Sequence, residues 1–145
     1  MTKNLDLLFQ ESNSFHGCEH YKVLNYKKRN TKEGRSGLNG DNFEKTIFTN
    51  PDWRGSNWYR FEEPAGTQIP ETKVPYSHCG SLHGGWIMTG KHPKSTGTTV
   101  DAEVCFSGII SGCASTISIK IHNCGSYYVY HLDDTPAKYS GYCAV

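Results

Sequence analysis

The sequence predicts an all-β fold, or a β-rich one with at most one short helix, built of antiparallel sheets. Three observations carry this. From Asn57 onward, short segments rich in Tyr, Val, Ile and Thr alternate with clusters of Gly, Pro and Ser, which is how many-stranded antiparallel proteins read. Helix signals are scarce. Six cysteines, Cys18, Cys79, Cys105, Cys113, Cys124 and Cys143, are spread along the chain without a C-x-x-C pair, which argues against a zinc ribbon or a thioredoxin-like site and for an oxidised, extracellular domain. With 145 residues, 36% hydrophobic and 12% aromatic, the chain fits one domain, 1–145, with a core of its own.

Residues 1–17 read as a polar N-terminal extension. The segment HYKVLNY at 20–26 alternates well enough for a strand. The following stretch, 27–42, has no apolar period and six glycines or asparagines, so a long loop or mobile arm is expected there. Its cations Lys27, Lys28, Arg29, Lys32 and Arg35 could meet an anionic glycan or a phosphate, or simply keep a solvated loop soluble. Next, WYRF at 58–61 starts a strand, followed by a turn-rich region with Pro64, Pro70 and Pro75. The glycine-rich CGSLHGGW at 79–86 reads as a turn. A strand over 97–106 places Val100, Ala102 and Val104 on one side and Cys105 on the other. SGIISGC at 107–113 reads as a small disulfide loop. The clearest strand is 115–123, with Ile117, Ile119 and Ile121 on a core face and Thr116, Ser118, Lys120 and His122 on a wet one. Cys124-Gly125 makes a tight hairpin into 126–132, which is apolar on both faces.

Fifteen basic against fourteen acidic side chains leave a formal charge of +1, so no overall field favours nucleic acid or an acidic membrane. No window reaches the roughly 18 apolar residues of a membrane-spanning helix, and the N-terminus is too polar for a signal region. No membrane insertion is expected, and a signal peptide is expected to lie outside the sequence shown.

Sites for chemistry are few. His16, Cys18 and His20 alternate along a segment read as extended and could grip zinc, but a disulfide at Cys18 would leave no thiolate, so no metal is expected. His78, His83 and His92 match no zinc template. The G-x-S-x-G elbow is absent, and the pairs Glu62-Glu63 and Asp133-Asp134 point to opposite faces of an extended chain. Neither an enzyme nor a cofactor is expected. Trp53, Trp58 and Trp86 lie beside glycine or polar turn residues, where a ring can be presented for stacking. Trp58 is read as core. Trp86, His83, Trp53, Lys28 and Arg29 are the candidate ligand contacts.

WYRF, PAG at 64–66, PET-x-VP at 70–75, Cys79, GKHP at 90–93, the cysteines from Cys105 to Cys124, YYVYHL at 127–132, TP at 135–136 and YC at 142–143 together resemble the ten-cysteine, or decoy-module, domain family of uromodulin-like glycoproteins. The resemblance covers about Cys18 to Cys143 and is closest from Trp58 onward. It implies a secreted, disulfide-stapled, β-rich module that is not an enzyme. Of the family's ten cysteines four are missing here, at Lys73, Gly112, Lys138 and a position around 50–53. The family connectivity implies that these are two complete bridges, Lys73 with Gly112 and Lys138 with the upstream position. It also implies the remaining pairs Cys18–Cys124, Cys79–Cys143 and Cys105–Cys113, out of the fifteen pairings that six cysteines allow. Relatives act as decoys through N-linked sugars, yet this chain has no N-x-S/T sequon, so that role is not carried over. The expected function is binding of a glycan or an extracellular protein. The alternative is a structural, self-associating matrix, mucus or venom component, and homo-oligomers are compatible with both.

Overall fold

The structure is a computed structural model that describes residues 15–34, 37–42 and 48–145. Residues 1–14 of the expected extension, and Arg35, lie outside the described residues. Seven strands form a single mixed sheet in the order β1-β2-β6-β5-β4-β3-β7. They are β1 (Lys22–Leu24), β2 (Asn57–Phe61), β3 (His83–Thr89), β4 (Thr99–Phe106), β5 (Ser115–Asn123), β6 (Tyr128–Leu132) and β7 (Ser140–Tyr142). The interior pairings are antiparallel, and β1–β2 and β3–β7 at the edges are parallel. The longest ladder joins β4 to β5, from Thr99 opposite His122 to Phe106 opposite Ser115. Among the described residues one four-residue α-helix, α1 (His16–Glu19), precedes the sheet. No helix among the described residues is long and apolar enough to cross a membrane.

The core lies on one face of the sheet. Tyr59 and Phe61 of β2, Ile87 of β3, Val104 and Phe106 of β4, Ile121 of β5 and Tyr130 and Leu132 of β6 are all buried there. Trp53, Ala65 and Ile69, from connecting segments, join them. Loops therefore cover the face that a helix covers in many α+β proteins. A smaller cluster of Val74, Cys79 and Cys143 packs against Trp86.

Of the turn expected at 79–86, residues 79–82 do form turns and bends, and strand β3 takes over from His83. Its two glycines are there for space. A Cβ on Gly84 would lie 2.6 Å from Cys143 Sγ, and one on Gly85 would lie 2.8 Å from the Phe106 ring. Backbone passes where no side chain fits, and a glycine pair reads as a turn only when those neighbours are unknown.

The described residues of 27–42, namely 27–34 and 37–42, form a folded segment. It holds two 3₁₀ turns, Lys27–Arg29 and Thr31–Glu33, and is pinned by Arg29, which is fully buried. The Arg29 guanidinium donates to Asp41 at 2.7 and 2.8 Å, to Asp52 at 2.7 and 3.0 Å, and to the Tyr142 carbonyl at 3.1 Å. Asp41 accepts further bonds from Asn50 Nδ2 and the Tyr142 N–H. Burial alone would lower the Arg29 pKa, but the two carboxylates outweigh it and raise it. Burial raises and Arg29 lowers the Asp52 pKa, with a net fall. Removing one partner from such a buried ionic network costs about 3 to 5 kcal/mol.

Disulfides join Cys18 to Cys124, Cys79 to Cys143 and Cys105 to Cys113, and no described cysteine is free. Lys73 reaches over Gly112, where a Cβ would lie 3.3 Å from Lys73 Nζ. The two positions named as one missing bridge are thus neighbours in space.

Candidate ligand-binding site

The sequence-derived contacts separate into three places. Trp53 is buried, stacked on Tyr59 with ring centroids 4.8 Å apart, and its Nε1 donates to Asp134 at 2.7 Å. Together with the buried Arg29 it offers nothing to a ligand. Both are corrections with the same cause, since each fills a polar-lined position inside the core instead of presenting its side chain at a turn. Lys28 is exposed, next to Gly80.

Trp86 and His83 do come together, on Ser107. The Trp86 indole donates to Ser107 Oγ at 3.0 Å, His83 Nδ1 lies 2.7 Å from the Ser107 carbonyl, and Ser107 Oγ donates to the Val74 carbonyl. Their polar groups are committed inside the fold, and half-buried Trp86 serves the packing around Cys79–Cys143.

The metal candidate dissolves in the same way. His16, Cys18 and His20 lie on and just after one helical turn rather than an extended segment, with the two imidazoles stacked 4.5 Å apart. Ligand atoms of Cys18, His122 and Cys124 do lie within 4.8 Å of one another, but both sulfurs belong to one disulfide and neither is a thiolate. A chain Glu71–His92–Tyr130, with contacts of 2.6 Å at both imidazole nitrogens, has the order of a catalytic relay. Its terminal hydroxyl is fully buried, where no substrate reaches it.

A different constellation is open to solvent. Arg60 projects from β2 between the core residues Tyr59 and Phe61, and so from the opposite face. Its guanidinium carbon lies 3.9 Å from the centroid of the Tyr127 ring and 5.7 Å from that of Tyr21, and Nη1 donates to the Tyr21 hydroxyl at 3.0 Å. The Tyr127 hydroxyl donates to the Cys18 carbonyl at 2.6 Å, so the Cys18–Cys124 bridge holds the whole stack. Two hollows meet at Tyr127. One, of about 190 Å³, is lined by Arg60, Thr67, Gln68, Ser126, Tyr127 and Tyr128, among others. The other, of about 450 Å³, includes Phe15, Glu19, Thr96, Thr99, Asn123 and Tyr127. Phe15 is held there by stacking on His122 at 3.7 Å and by an edge contact with Trp58 at 4.9 Å. Rings, a fixed cation and neutral hydrogen-bonding side chains around a small concavity are a set suited to a polar ligand.

Sequence reasoning missed Arg60, Tyr21 and Tyr127 because their segments read as strands. The signal was present at Arg60, a cation at the alternate position between two core aromatics, which places it on the uncovered face. Its partner Tyr21 lies 39 residues away, and nothing local marks it.

A sequence profile for the uromodulin-like domain matches residues 59–144, which include Arg60 and Tyr127 but not Cys18 or Tyr21. The pancreatic secretory granule membrane major glycoprotein GP2 of Canis lupus familiaris is 28% identical over 131 residues, 90% of this chain and 23% of that protein. Uromodulin of Rattus norvegicus is 30% identical over 127 residues, 87% of this chain and 18% of that protein. Human GP2 is 28% identical over 132 residues. The chain thus spans less than a quarter of the curated relatives it matches. The match supplies the uromodulin-like domain and not a ten-cysteine count, for six cysteines are present. With more than half of its length covered by that profile, the chain belongs to the uromodulin-like domain family.

Proposed function

We propose that this chain is an extracellular, non-enzymatic binding module whose ligand is a glycan, taken up at the groove around Tyr127. Three disulfides suit an oxidising compartment. Membership of a family represented by uromodulin and a secretory-granule glycoprotein supports the same placement. The single observation that carries the glycan reading is Arg60 fixed over Tyr127, a ring that borders two hollows lined in part by hydroxyl and amide side chains. A glycan array probed with the disulfide-intact chain tests it. Hits are expected that weaken on Gln68→Leu and persist on Trp86→Ala, because Trp86 is turned into the packing of Cys79–Cys143. An array without hits overturns the reading.

A second reading, docking to a protein with an apolar pocket, is favoured by one other feature. At the tip of the Cys105–Cys113 loop Ile109 is 71% and Ile110 100% exposed.

A further inference from the structure

We propose that the sugar taken by the Tyr127 groove carries a carboxylate and that Arg60 binds it. This rests on the glycan reading and adds the chemical class of the ligand.

Size comes first. A hollow of about 190 Å³ is below the roughly 300 Å³ at which pockets for drug-sized ligands begin, so it takes one terminal sugar residue. Charge comes next. Among the described residues lining that hollow Arg60 is the single ionised side chain, and the others are hydroxyl, amide, glycine or aromatic. A terminal sugar placed there meets one fixed positive charge surrounded by neutral hydrogen-bonding groups.

The state of the guanidinium then selects the anion. Nη1 is committed to Tyr21, and the plane is held by Tyr127. Nε is buried and has no hydrogen-bond partner among the described residues. Its ion-pair partner among the described residues, Glu62 Oε2, lies 3.5 Å from Nε, within ion-pair range but longer than a hydrogen bond of about 2.9 Å. Glu62 itself is partly exposed. A buried donor left unmade is costly, and an arginine that is already oriented loses less rotamer freedom on binding than a free one. A ligand carboxylate can make charge-assisted bonds of about 2.7 to 2.9 Å to this fork, while Glu62 turns out to water. Glu62 holds the place of the ligand's carboxylate loosely and competes with it.

The remaining sugars of an oligosaccharide would run past Tyr127 toward the larger hollow. Its acidic side chain is Glu19, so that end disfavours a second anion. The groove thus reads a glycan with its acid at the tip.

Titration calorimetry with sialyllactose and with lactose, on the oxidised chain at low ionic strength, tests this. Sialyllactose is expected to bind about tenfold more tightly than lactose, the worth of one hydrogen bond to a charged group. Arg60→Gln should erase the preference for sialyllactose over lactose. Glu62→Gln, which changes a partly exposed side chain, should tighten sialyllactose severalfold relative to lactose. It keeps the test open if Arg60→Gln does not fold. Equal binding of the two sugars by the parent chain, or a preference for sialyllactose that survives in folded Arg60→Gln, overturns the assignment. If neutral glycans bind on an array and sialyllactose does not, the acid assignment fails and the glycan reading stands. If nothing binds, both fail. Binding of an acidic peptide with no sugar would overturn both in favour of a protein ligand.

Discussion

His92 ties the turn before β4 to the core strand β6, and its protonation is coupled to folding. Glu71 Oε2 accepts from both the His92 N–H and Nδ1. A carboxylate cannot donate, so the imidazole proton sits on Nδ1, and Nε2 accepts from the Tyr130 hydroxyl. Burial lowers the His92 pKa below its usual 6.5, opposed by Glu71, and the bonds from His92 lower that of Glu71. A depressed pKa in the fold stabilises it above the unfolded value, and the contribution is lost as pH falls through the folded one. Stability should therefore decline as the pH falls through and below the usual histidine value of 6.5. His122, lowered by burial, adds to the same trend. The thermal midpoint of His92→Asn, which keeps a donor for Glu71 but cannot titrate, should fall less steeply over this range. Parallel slopes for the two proteins would contradict the argument. None of this was legible in the sequence, where His92 stood only as a histidine without a zinc template. Arg29 and Trp53 misled for the same reason. Their partners Asp41, Asp52 and Asp134 are placed by tertiary folding, so a charged or turn-flanking residue that is paired inside cannot be told locally from one that is free.

Elements were legible where one periodicity acts alone. Strands β4 and β5 run almost as their alternation predicts, because one face is core and the other solvent. Even there His122 departs, since Phe15 covers the wet face at that point. β3 and β7 were not legible, because each carries glycine where neighbouring segments leave no room. The β4–β5 connection makes a prediction at this scale. Its disulfide holds Ile109 and Ile110 outside the protein with no described packing. Full burial of each against a partner is worth about 1.5 to 3 kcal/mol. Ile110→Ser should leave the urea midpoint within about 0.5 kcal/mol of the parent, as for surface substitutions generally. If the protein reading holds, it should weaken capture of the partner. Sedimentation then distinguishes partners, because self-association that disappears in Ile110→Ser would identify the occupant as a second copy and support the structural alternative.

At the scale of the molecule, a loop-covered sheet with one four-residue α-helix among its described residues depends on its cross-links, and these differ in what they hold. The cysteines alone left fifteen pairings open, and only the family resemblance narrowed them. Cys18–Cys124 spans 106 residues and Cys105–Cys113 only 8. In the chain-entropy account the first contributes about 4 to 5 kcal/mol and the second about half that. The first also holds the Cys18 carbonyl against Tyr127, and with it the stack of Tyr21, Arg60 and Tyr127. The paired variant Cys18→Ser/Cys124→Ser should therefore lose both stability and glycan binding. Cys105→Ser/Cys113→Ser should lose less stability and keep its binding, because that bridge lies beside Trp86 rather than the groove. Urea unfolding and array binding on the two variants separate these effects. Equal loss of binding in both would place the ligand elsewhere on the sheet, and retained binding without Cys18–Cys124 would show that the Tyr127 stack holds its geometry without the bridge.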